Sequence, residues 1–432
     1  MGYSVLVLNL TAQEKSMLAG DYGPAVALAM RLITQLARIK NATKLIDIQS
    51  VHVDGCLFYG QAGLDYAQKL VNLGAKVVVP TTVNVGKVDL LHPNLVRQET
   101  PEEKFMAQGG RDLMAAYVTL GAKQTWTCAP YQVDTRPDFG SDIVWAESNA
   151  IAFANSVLGA RTDRYGDFMD IASAITGKTA LVGLHLVENR IGHLIIDCRR
   201  LSKRVLDLDI TYPILGYLAG KYAGTKNPVF LGIPENVSED KLKALGAAAA
   251  SSGGVGLFHV VGRTPEAPTL DAVTRTGESL PAYVIDAQLL TKTRNELSTT
   301  SQGNKLDAVS LGTPHASLNE ISQLLETFSN GKPIADHVSF YINTGRSVFV
   351  QAQELGLVAK LEALGVKFVV DTCAYVTSIF RPGTRTAITN SGKVAHYAPG
   401  NMNVDIVLGT LAECVISAQQ GVLTWDDELF ND

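Results

Sequence analysis

Apolar and polar positions alternate with a helical period near the start of the chain and with an extended period soon afterwards. Thr11 and Glu14 have the spacing of a capping box that opens a short helix, and Pro24 begins a longer amphipathic helix that should end at Ile39. The segment 44–53 then predicts a strand. Cycles of helix, turn and strand fill the rest of the chain and predict an α/β fold with mostly parallel sheets.

One turn recurs between a helical stretch and an extended run. A Leu-Gly pair, followed by a small or apolar residue and then a lysine, occurs at 73–76, 120–123 and 364–367. Glycine adopts the left-handed conformation at little cost, so each pair should end a helix and lead directly into a strand. This recurrence is local and does not predict a repeat architecture.

The predicted strands end at side chains that can carry chemistry. Thr81 lies five residues after the first of these lysines, Cys128 five after the second and Cys373 six after the third. A fourth predicted strand, 307–312, leads into the Thr-Pro-His segment 313–315. Ligands of open parallel sheets bind outside the carboxyl ends of the strands, so we expect the functional site at these four points.

The composition is that of a well-packed globular protein. The chain has 432 residues, of which 46% are hydrophobic and 18% charged, so two or three packed α/β units are expected. The net charge of -5 and a pI near 5.9 argue against a nucleic-acid partner. The weakest regularity lies around 262–269, which predicts an N-terminal region of residues 1–262 and a C-terminal region of residues 263–432.

The chain carries no visible targeting or membrane segment. Its start, Met1-Gly2-Tyr3-Ser4, lacks the charged and apolar segments of a secretion signal. The most apolar stretch, 245–261, is short and interrupted by Ser, Gly and His. We therefore expect a cytoplasmic protein without a membrane partner.

Cysteine usage predicts reduced thiols rather than disulfides. The five cysteines are widely spaced, and the count is odd. Cys128 and Cys373 lack the CxxC spacing of zinc ribbons and thioredoxins, but two thiols at strand ends can converge on iron or on an iron–sulfur cluster. The alternative is a pair of small buried cysteines. Cys198 and Cys414 lie in apolar segments and are expected to be structural.

A polar, glycine-rich segment follows the first predicted strand. His52 and Asp54 lie two apart on extended chain and should point to the same side, as a metal-binding or acid–base pair requires. Cys56 follows Asp54 after one glycine. The alternative is a turn whose polar groups are satisfied locally.

Two further polar segments are candidates for substrate binding. Glu147-Ser148-Asn149 is followed by Arg161 and Arg164, which could clamp a carboxylate or phosphate, although a solvated helix end would have the same composition. The segment 393–397, with Lys393 and His396, lies between glycines. Walker A and GxGxxG motifs are absent from the sequence, which disfavours NTP hydrolysis and hydride transfer.

Taken together, these segments resemble the large subunit of aconitase X. The match runs in order along nearly the whole chain. The matching segments are Leu10-Thr11-x-x-Glu14-x-x-Met17-Leu18-x-Gly20-x-x-Gly23, His52-x-Asp54-Gly55, Val79-Pro80-Thr81-Thr82-Val83-Asn84-Val85-Gly86-x-x-Asp89, Cys128-x-Pro130-Tyr131, Glu147-Ser148-Asn149-Ala150, Asn155-Ser156-x-x-Gly159-Ala160-Arg161-Thr162-x-Arg164, Pro314-His315-x-Ser317-x-x-Glu320, Asp371-Thr372-Cys373 and Gly392-Lys393-x-x-His396-Tyr397.

The resemblance implies an aconitase-like body of packed α/β/α domains and a separate partner. In this family the body works with a small swivelling domain, which needs more residues than this chain provides. We therefore expect that domain on a separate small subunit, together with the serine that acts as general base.

The resemblance also implies an iron centre held by three cysteines. Two of them correspond to Cys128 and Cys373, whereas the third position is Thr313 in this sequence. A hydroxyl is a poor substitute for a thiolate in binding an iron–sulfur centre. Either Cys56 or another group completes the site, or the metal is a single ion, or the centre is lost.

The implied reaction is removal of water from a small anionic hydroxy acid, with the metal as Lewis acid. The cationic side chains would hold the acid groups, and amides and imidazoles would orient oxygen atoms. The expected catalytic residues are His52, Asp54, Asn84, Glu147, Asn149, His315 and Lys393. The expected substrate-binding residues are Thr81, Thr82, Ser148, Arg161, Thr162, Arg164 and His396.

Members of the family act on two classes of substrate. One class dehydrates cis-3-hydroxy-L-proline to a pyrroline carboxylate, and the other dehydrates mevalonate 5-phosphate. The sequence shows no dense basic phosphate cradle, which favours hydroxyproline. The alternative from another functional class is a binding scaffold that has lost its iron centre.

Overall fold

The computed structural model describes residues 7–133, 136–277, 279–329 and 331–431. The chain start on which the expected absence of a secretion signal rests lies outside these ranges. The α-helices are α1 Ala12–Ala19, α2 Pro24–Ile39, α3 Gln61–Asn72, α4 Pro101–Leu120, α5 Ser148–Phe153, α6 Met169–Thr176, α7 Lys203–Asp207, α8 Thr211–Ala223, α9 Glu239–Ser252, α10 Ala287–Glu296, α11 Leu318–Thr327, α12 Arg346–Glu354, α13 Leu357–Ala363, α14 Gly392–Met402 and α15 Leu411–Gln420. Along the described chain, every helix is too short or too polar to cross a membrane.

Within the described ranges, the strands form three parallel sheets and one antiparallel pair. They are β1 Leu45–Asp47, β2 Val51–Val53, β3 Thr81–Val83, β4 Val144–Trp145, β5 Lys178–Ala180, β6 Leu194–Asp197, β7 Pro228–Leu231, β8 His259–Val260, β9 Ala282–Val284, β10 Ala308–Ala316, β11 Ser339–Thr344, β12 Val366–Val370, β13 Thr386–Thr389 and β14 Asp405–Leu408. The parallel sheets have the orders β3-β2-β4, β8-β7-β6-β9 and β12-β11-β10-β13-β14, and β1 pairs with β5. The predicted α/β class with mostly parallel sheets is confirmed. The division into regions at residue 262 remains a prediction.

Local signals near the start of the chain are confirmed. Thr11 and Glu14 form the capping box of α1, and α2 has the predicted bounds. The strand predicted over 44–53 is instead two strands, β1 and β2, which belong to different sheets. Between them the backbone N–H of Ile48 bonds to Gly177, so the chain leaves one sheet before it enters the next.

The Leu-Gly turn at 364–367 leads into a regular strand, β12, whereas the turn at 120–123 does not. Gly121 ends α4 in the left-handed conformation, as predicted. The run that follows makes only a single bridge, between Lys123 and Thr82, among the described residues. The Thr125 hydroxyl instead satisfies the backbone of β3: it accepts from the Val83 N–H and donates to the Val83 carbonyl. These are contacts that a neighbouring strand would otherwise make. Cys128 is thus carried by an irregular segment rather than by a strand.

The carboxyl ends of two sheets open onto one cavity. Strands β2, β3 and β4 of the three-stranded sheet lead into Asp54, Asn84 and Glu147. Strands β12 and β13 of the five-stranded sheet lead into Cys373 and Lys393. The predicted site at strand ends is therefore assembled from segments far apart in the chain.

Candidate active site

The cavity between these strand ends has a volume of about 410 Å³. Its lining combines two thiols, several hydroxyls, three carboxyl groups and two cationic side chains. The predicted residues that line it are Asp54, Asn84, Cys128, Glu147, Ser148, Arg164, Thr313, Cys373 and Lys393. This volume suits a small molecule.

One corner of the cavity has the donor groups of a metal site. The ligand atoms of Cys128, His315 and Cys373 all lie within 4.8 Å of one another, and all three residues are buried. A hydrogen bond with Cys128 and burial raise the pKa of the Cys373 thiol. The backbone N–H of His315 donates to Cys128 Sγ at 3.2 Å. This corner can hold a metal ion through soft sulfur ligands.

His315 fixes the two segments that carry these thiols. Its Nδ1 lies 3.0 Å from the hydroxyl of Thr127, and its Nε2 lies 3.1 Å from the carbonyl of Thr372. Each partner directly precedes one of the cysteines. Because burial lowers the pKa of His315 to about 4, the ring is neutral at physiological pH, with Nε2–H donating and Nδ1 accepting.

Thr313 adds a hydroxyl to the lining of the same cavity. Its Oγ1 is buried, has no hydrogen-bond partner among the described residues, and belongs to a residue that lines the cavity. The carbonyl of Thr313 accepts a hydrogen bond from the Ser391 hydroxyl, which fixes the backbone there. A buried hydroxyl without a partner is costly unless something binds it.

A charged pair forms the second corner. Lys393 Nζ lies 2.6 Å from Glu147 Oε1, and both side chains are almost completely buried. Burial opposes the positive charge, but the Glu147 carboxylate and the neighbouring Tyr375 raise the pKa of Lys393 well above its ordinary value. Lys393 is therefore charged, and it projects from the first turn of α14.

Glu147 is held by the start of α5. Its carboxylate caps the helix by accepting from the Ala150 N–H at 3.0 Å, and it also accepts from the Asn149 amide. The Asn149 amide donates to the Cys128 carbonyl at 2.9 Å as well. Asn149 thus connects the charged corner to the metal corner, although it does not itself line the cavity.

Another part of the cavity lining is acidic and contains Asp54 and Asp167. Burial, and then the Glu147 carboxylate, raise the pKa of Asp54 to about 7. Asn84 donates its amide to Asp54, and the backbone N–H of Asp54 donates to Asp170 Oδ2 at 2.8 Å. Asp167 lies on the same wall, and burial raises its pKa.

Several predicted residues lie outside the cavity. His52 is completely buried in the central strand β2, where its Nδ1 bonds to Thr82 at 2.8 Å and burial lowers its pKa to about 3. It therefore does not share a site with Asp54, because both faces of β2 are covered. Thr81 bonds to the Val79 carbonyl and is buried.

The other outlying residues have structural contacts. Arg161 pairs through its backbone with the segment before β4, and Thr162 bonds to the backbone of Trp145. His396 is exposed on α14 and contacts Tyr217. Cys56 donates to the carbonyl of Asn84 at 3.2 Å and does not belong to the group of ligand atoms formed by Cys128, His315 and Cys373.

Some lining residues were not predicted from the sequence. They include Tyr59, Asp167, Tyr375 and Asn401. Tyr375 lies two residues after Cys373, and Asp167 three after Arg164, so proximity to the motifs was the available signal. Neither residue type forms a recognisable pattern there.

Comparison with known proteins places these features in a family. Three family models match in succession, the aconitase X first domain over residues 7–188, the second over 192–295 and the third over 306–420. The chain is 40% identical to cis-3-hydroxy-L-proline dehydratase of Pseudomonas aeruginosa over 96% of its own length and 70% of that protein. It is 36% identical to the phosphomevalonate dehydratase large subunit of Thermococcus kodakarensis, over 90% of this chain and 95% of that one.

A solved structure agrees with these sequence matches. The crystal structure of the holo form of aconitase X from Thermococcus kodakaraensis superposes with a TM-score of 0.83 at 33% identity. The match covers 94% of this chain and all of that one (100%). The resemblance predicted from the motifs is confirmed, and the chain belongs to the aconitase X family of hydro-lyases.

Proposed function

We propose that the chain is the large subunit of a metal-dependent dehydratase that acts on cis-3-hydroxy-L-proline. The observation that carries the proposal is a single cavity lined by the thiols of Cys128 and Cys373 and by the Lys393–Glu147 pair. Such a reaction removes a proton from the carbon beside a carboxylate while a hydroxyl leaves the neighbouring carbon. It needs a cation for the carboxylate and a site that stabilises the leaving oxygen.

The metal corner fits an iron centre. Thiolates of Cys128 and Cys373 are suitable ligands for iron, and the Thr313 hydroxyl is free to face a bound group. The corner offers two cysteine sulfurs, and the cavity beside it offers the Thr313 hydroxyl, so the residues fit a single ion or a small cluster better than a centre that requires three thiolates. Iron bound there supplies a Lewis acid for the leaving hydroxyl.

The residues of the chain bind and orient the substrate. Lys393, which stays charged, attracts the substrate carboxylate, and Ser148 lies 3.4 Å from its Nζ. Arg164 lines the cavity near its opening and adds a second positive charge. Asn149 and His315 act from outside the cavity by holding the Cys128 segment in place.

The remaining step, removal of the proton from carbon, is assigned to a separate small subunit. The relative from Thermococcus kodakarensis is named a large subunit, and this chain covers 95% of it. We assign the swivelling domain and the serine that removes the proton to such a partner, which would close over the cavity. The base is then contributed by the partner, and the metal and the carboxylate site by this chain.

The charges in the cavity favour hydroxyproline over a phosphorylated substrate. Lys393 is charged but shares its charge with Glu147, and Arg164 is the other cation among the described lining residues, so the cavity has two cations for all the acid groups of a substrate. Phosphate sites usually gather several donors or cations around the dianion. The runner-up, mevalonate 5-phosphate, rests on the 36% identity to the phosphomevalonate enzyme.

The proposal is tested with the two subunits produced together without oxygen. Iron content and turnover of cis-3-hydroxy-L-proline are measured for the unmodified protein, for Cys128→Ala and for Cys198→Ala. Cys198 is an equally buried cysteine that follows β6, so its variant is the matched control. We expect Cys128→Ala alone to lose both iron and turnover. Turnover that survives in Cys128→Ala would rule out the metal-dependent reaction.

A further inference from the structure

One wall of the cavity is rich in oxygen acceptors. We call Asp54, Asn84 and Asp167 the acceptor wall; all three line the cavity. The Asn84 side chain is 4% exposed, and its Oδ1 has no hydrogen-bond partner among the described residues. Its amide nitrogen is already used, because it donates to Asp54. The buried Oδ1 of Asn84 is therefore available to accept a hydrogen bond from a ligand.

The acceptor wall also lacks a cation. Within the described parts of the chain, neither Asp54 nor Asp167 forms an ion pair. The cations of the cavity belong elsewhere, since Lys393 pairs with Glu147 and Arg164 donates to the carbonyl of Gly254. Two carboxyl groups and a carbonyl oxygen without a partner, all lining one cavity, favour a positively charged donor as ligand.

We infer that the acceptor wall is the subsite for the secondary ammonium group of a cyclic amino acid. This inference rests on the proposed function and specifies how its substrate is recognised. A ring ammonium carries two N–H bonds, one of which would donate to Asn84 Oδ1 and the other to Asp54 or Asp167. The substrate carboxylate would then face Lys393. Such a wall repels a phosphate dianion, so it also sets the specificity of the site.

Charge at the nitrogen assists the elimination as well as binding. A protonated ring nitrogen withdraws electrons from the adjacent carbon, which makes the hydrogen on that carbon more acidic. The acceptor wall keeps the proton on the nitrogen by hydrogen-bonding the charged form. Removal of that carbon-bound proton by the partner's base, with departure of hydroxyl from the next carbon, gives the unsaturated ring and one water.

The test compares two ligands that differ only at the ring atom. L-Proline has the ring ammonium, and (S)-tetrahydrofuran-2-carboxylate has an ether oxygen in its place. Binding of each to the iron-loaded two-subunit protein is measured by calorimetry for the unmodified chain and for Asp167→Asn. Asp167 is exposed, so this variant is expected to fold. The matched control is Asp112→Asn, which removes a carboxylate from the exposed face of α4.

We expect Asp167→Asn to weaken L-proline about tenfold or more and to change the ether by less than about twofold. Asp54→Asn, measured in parallel, should show the same selectivity. Equal weakening of both ligands, or no weakening of either by both variants, would overturn the subsite. Turnover separates the two proposals. If the unmodified enzyme dehydrates hydroxyproline and the variants show no selectivity, only the subsite fails. If it dehydrates mevalonate 5-phosphate alone, the proposed function fails.

Discussion

Lys393 and Glu147 form a buried ion pair, 2.6 Å from Nζ to Oε1, that joins the first turn of α14 to the start of α5. The two residues are 246 positions apart in the chain, and each belongs to a different sheet-and-helix unit. Both side chains are less than a tenth exposed. The pair therefore holds two walls of the cavity together and at the same time keeps a charged lysine available to a substrate carboxylate.

Removing the carboxylate of this pair should destabilise the fold. Glu147→Gln leaves the Lys393 ammonium buried without its partner, which costs about 3 kcal/mol of the free energy of unfolding. Urea unfolding measures the loss. Asp207→Asn breaks the exposed pair between Lys203 and Asp207 and should leave the stability unchanged. A stability loss no greater for Glu147→Gln than for Asp207→Asn would contradict this role.

The stability contributed by Asp54 should depend on pH. Its pKa in the folded chain is raised to about 7 from an ordinary 3.8, so the folded state holds the proton more tightly than the unfolded state. Stability therefore falls as the pH rises through this interval, and the penalty is complete above it. Asp54→Asn should raise the thermal midpoint more at about pH 8 than at about pH 5. Asp112→Asn is the control, and an equal shift at both pH values for Asp54→Asn would refute the prediction.

His315 should govern metal affinity without binding substrate. Its ring bonds to the residues that precede Cys128 and Cys373, so His315→Gln loosens both ligand segments. Loss of such a supporting contact lowers metal affinity about tenfold or more. Competition with a chelator measures the affinity. The control is His337→Gln, since His337 bonds to the Gly421 carbonyl outside the cavity. An unchanged metal affinity of His315→Gln would show that His315 does not support the metal ligands.

Thr313 should set how firmly the metal is held. Thr313→Cys adds a third thiol to the cavity that Cys128 and Cys373 line, which should raise iron retention and change the visible absorption spectrum of the iron-loaded protein. Ser310→Cys is the control, because Ser310 also lies buried on β10 with an unpartnered hydroxyl. Identical iron content and spectra for the two variants would show that residue 313 does not face the metal.

The fold and the location of the site were predictable because they depend on local signals. The Leu-Gly turn before β12 identifies where that strand begins, and Cys373 follows its end. The rule that ligands bind at the carboxyl ends of parallel strands then places Cys373 near other strand ends. Cys128 was predicted on the same ground, although its segment is not a regular strand.

Contacts between distant segments were not predictable from the sequence. The ring of His315 bonds to residues 188 and 57 positions away, and no spacing in the sequence signals these contacts. His52 and Asp54 alternate correctly for one face, but β2 is the central strand of its sheet, so His52 is buried against Thr82. Asp167 lies in an irregular segment after Arg164, where residue type alone carries no pattern.

The most direct test of the proposed function is the initial rate of water elimination by the iron-loaded two-subunit protein. The rate is measured separately with cis-3-hydroxy-L-proline and with mevalonate 5-phosphate. The cavity, with its acceptor wall and its single unpaired cation among the described lining residues, predicts turnover of cis-3-hydroxy-L-proline and none of the phosphate. Turnover of mevalonate 5-phosphate alone, or of neither compound, would contradict the account.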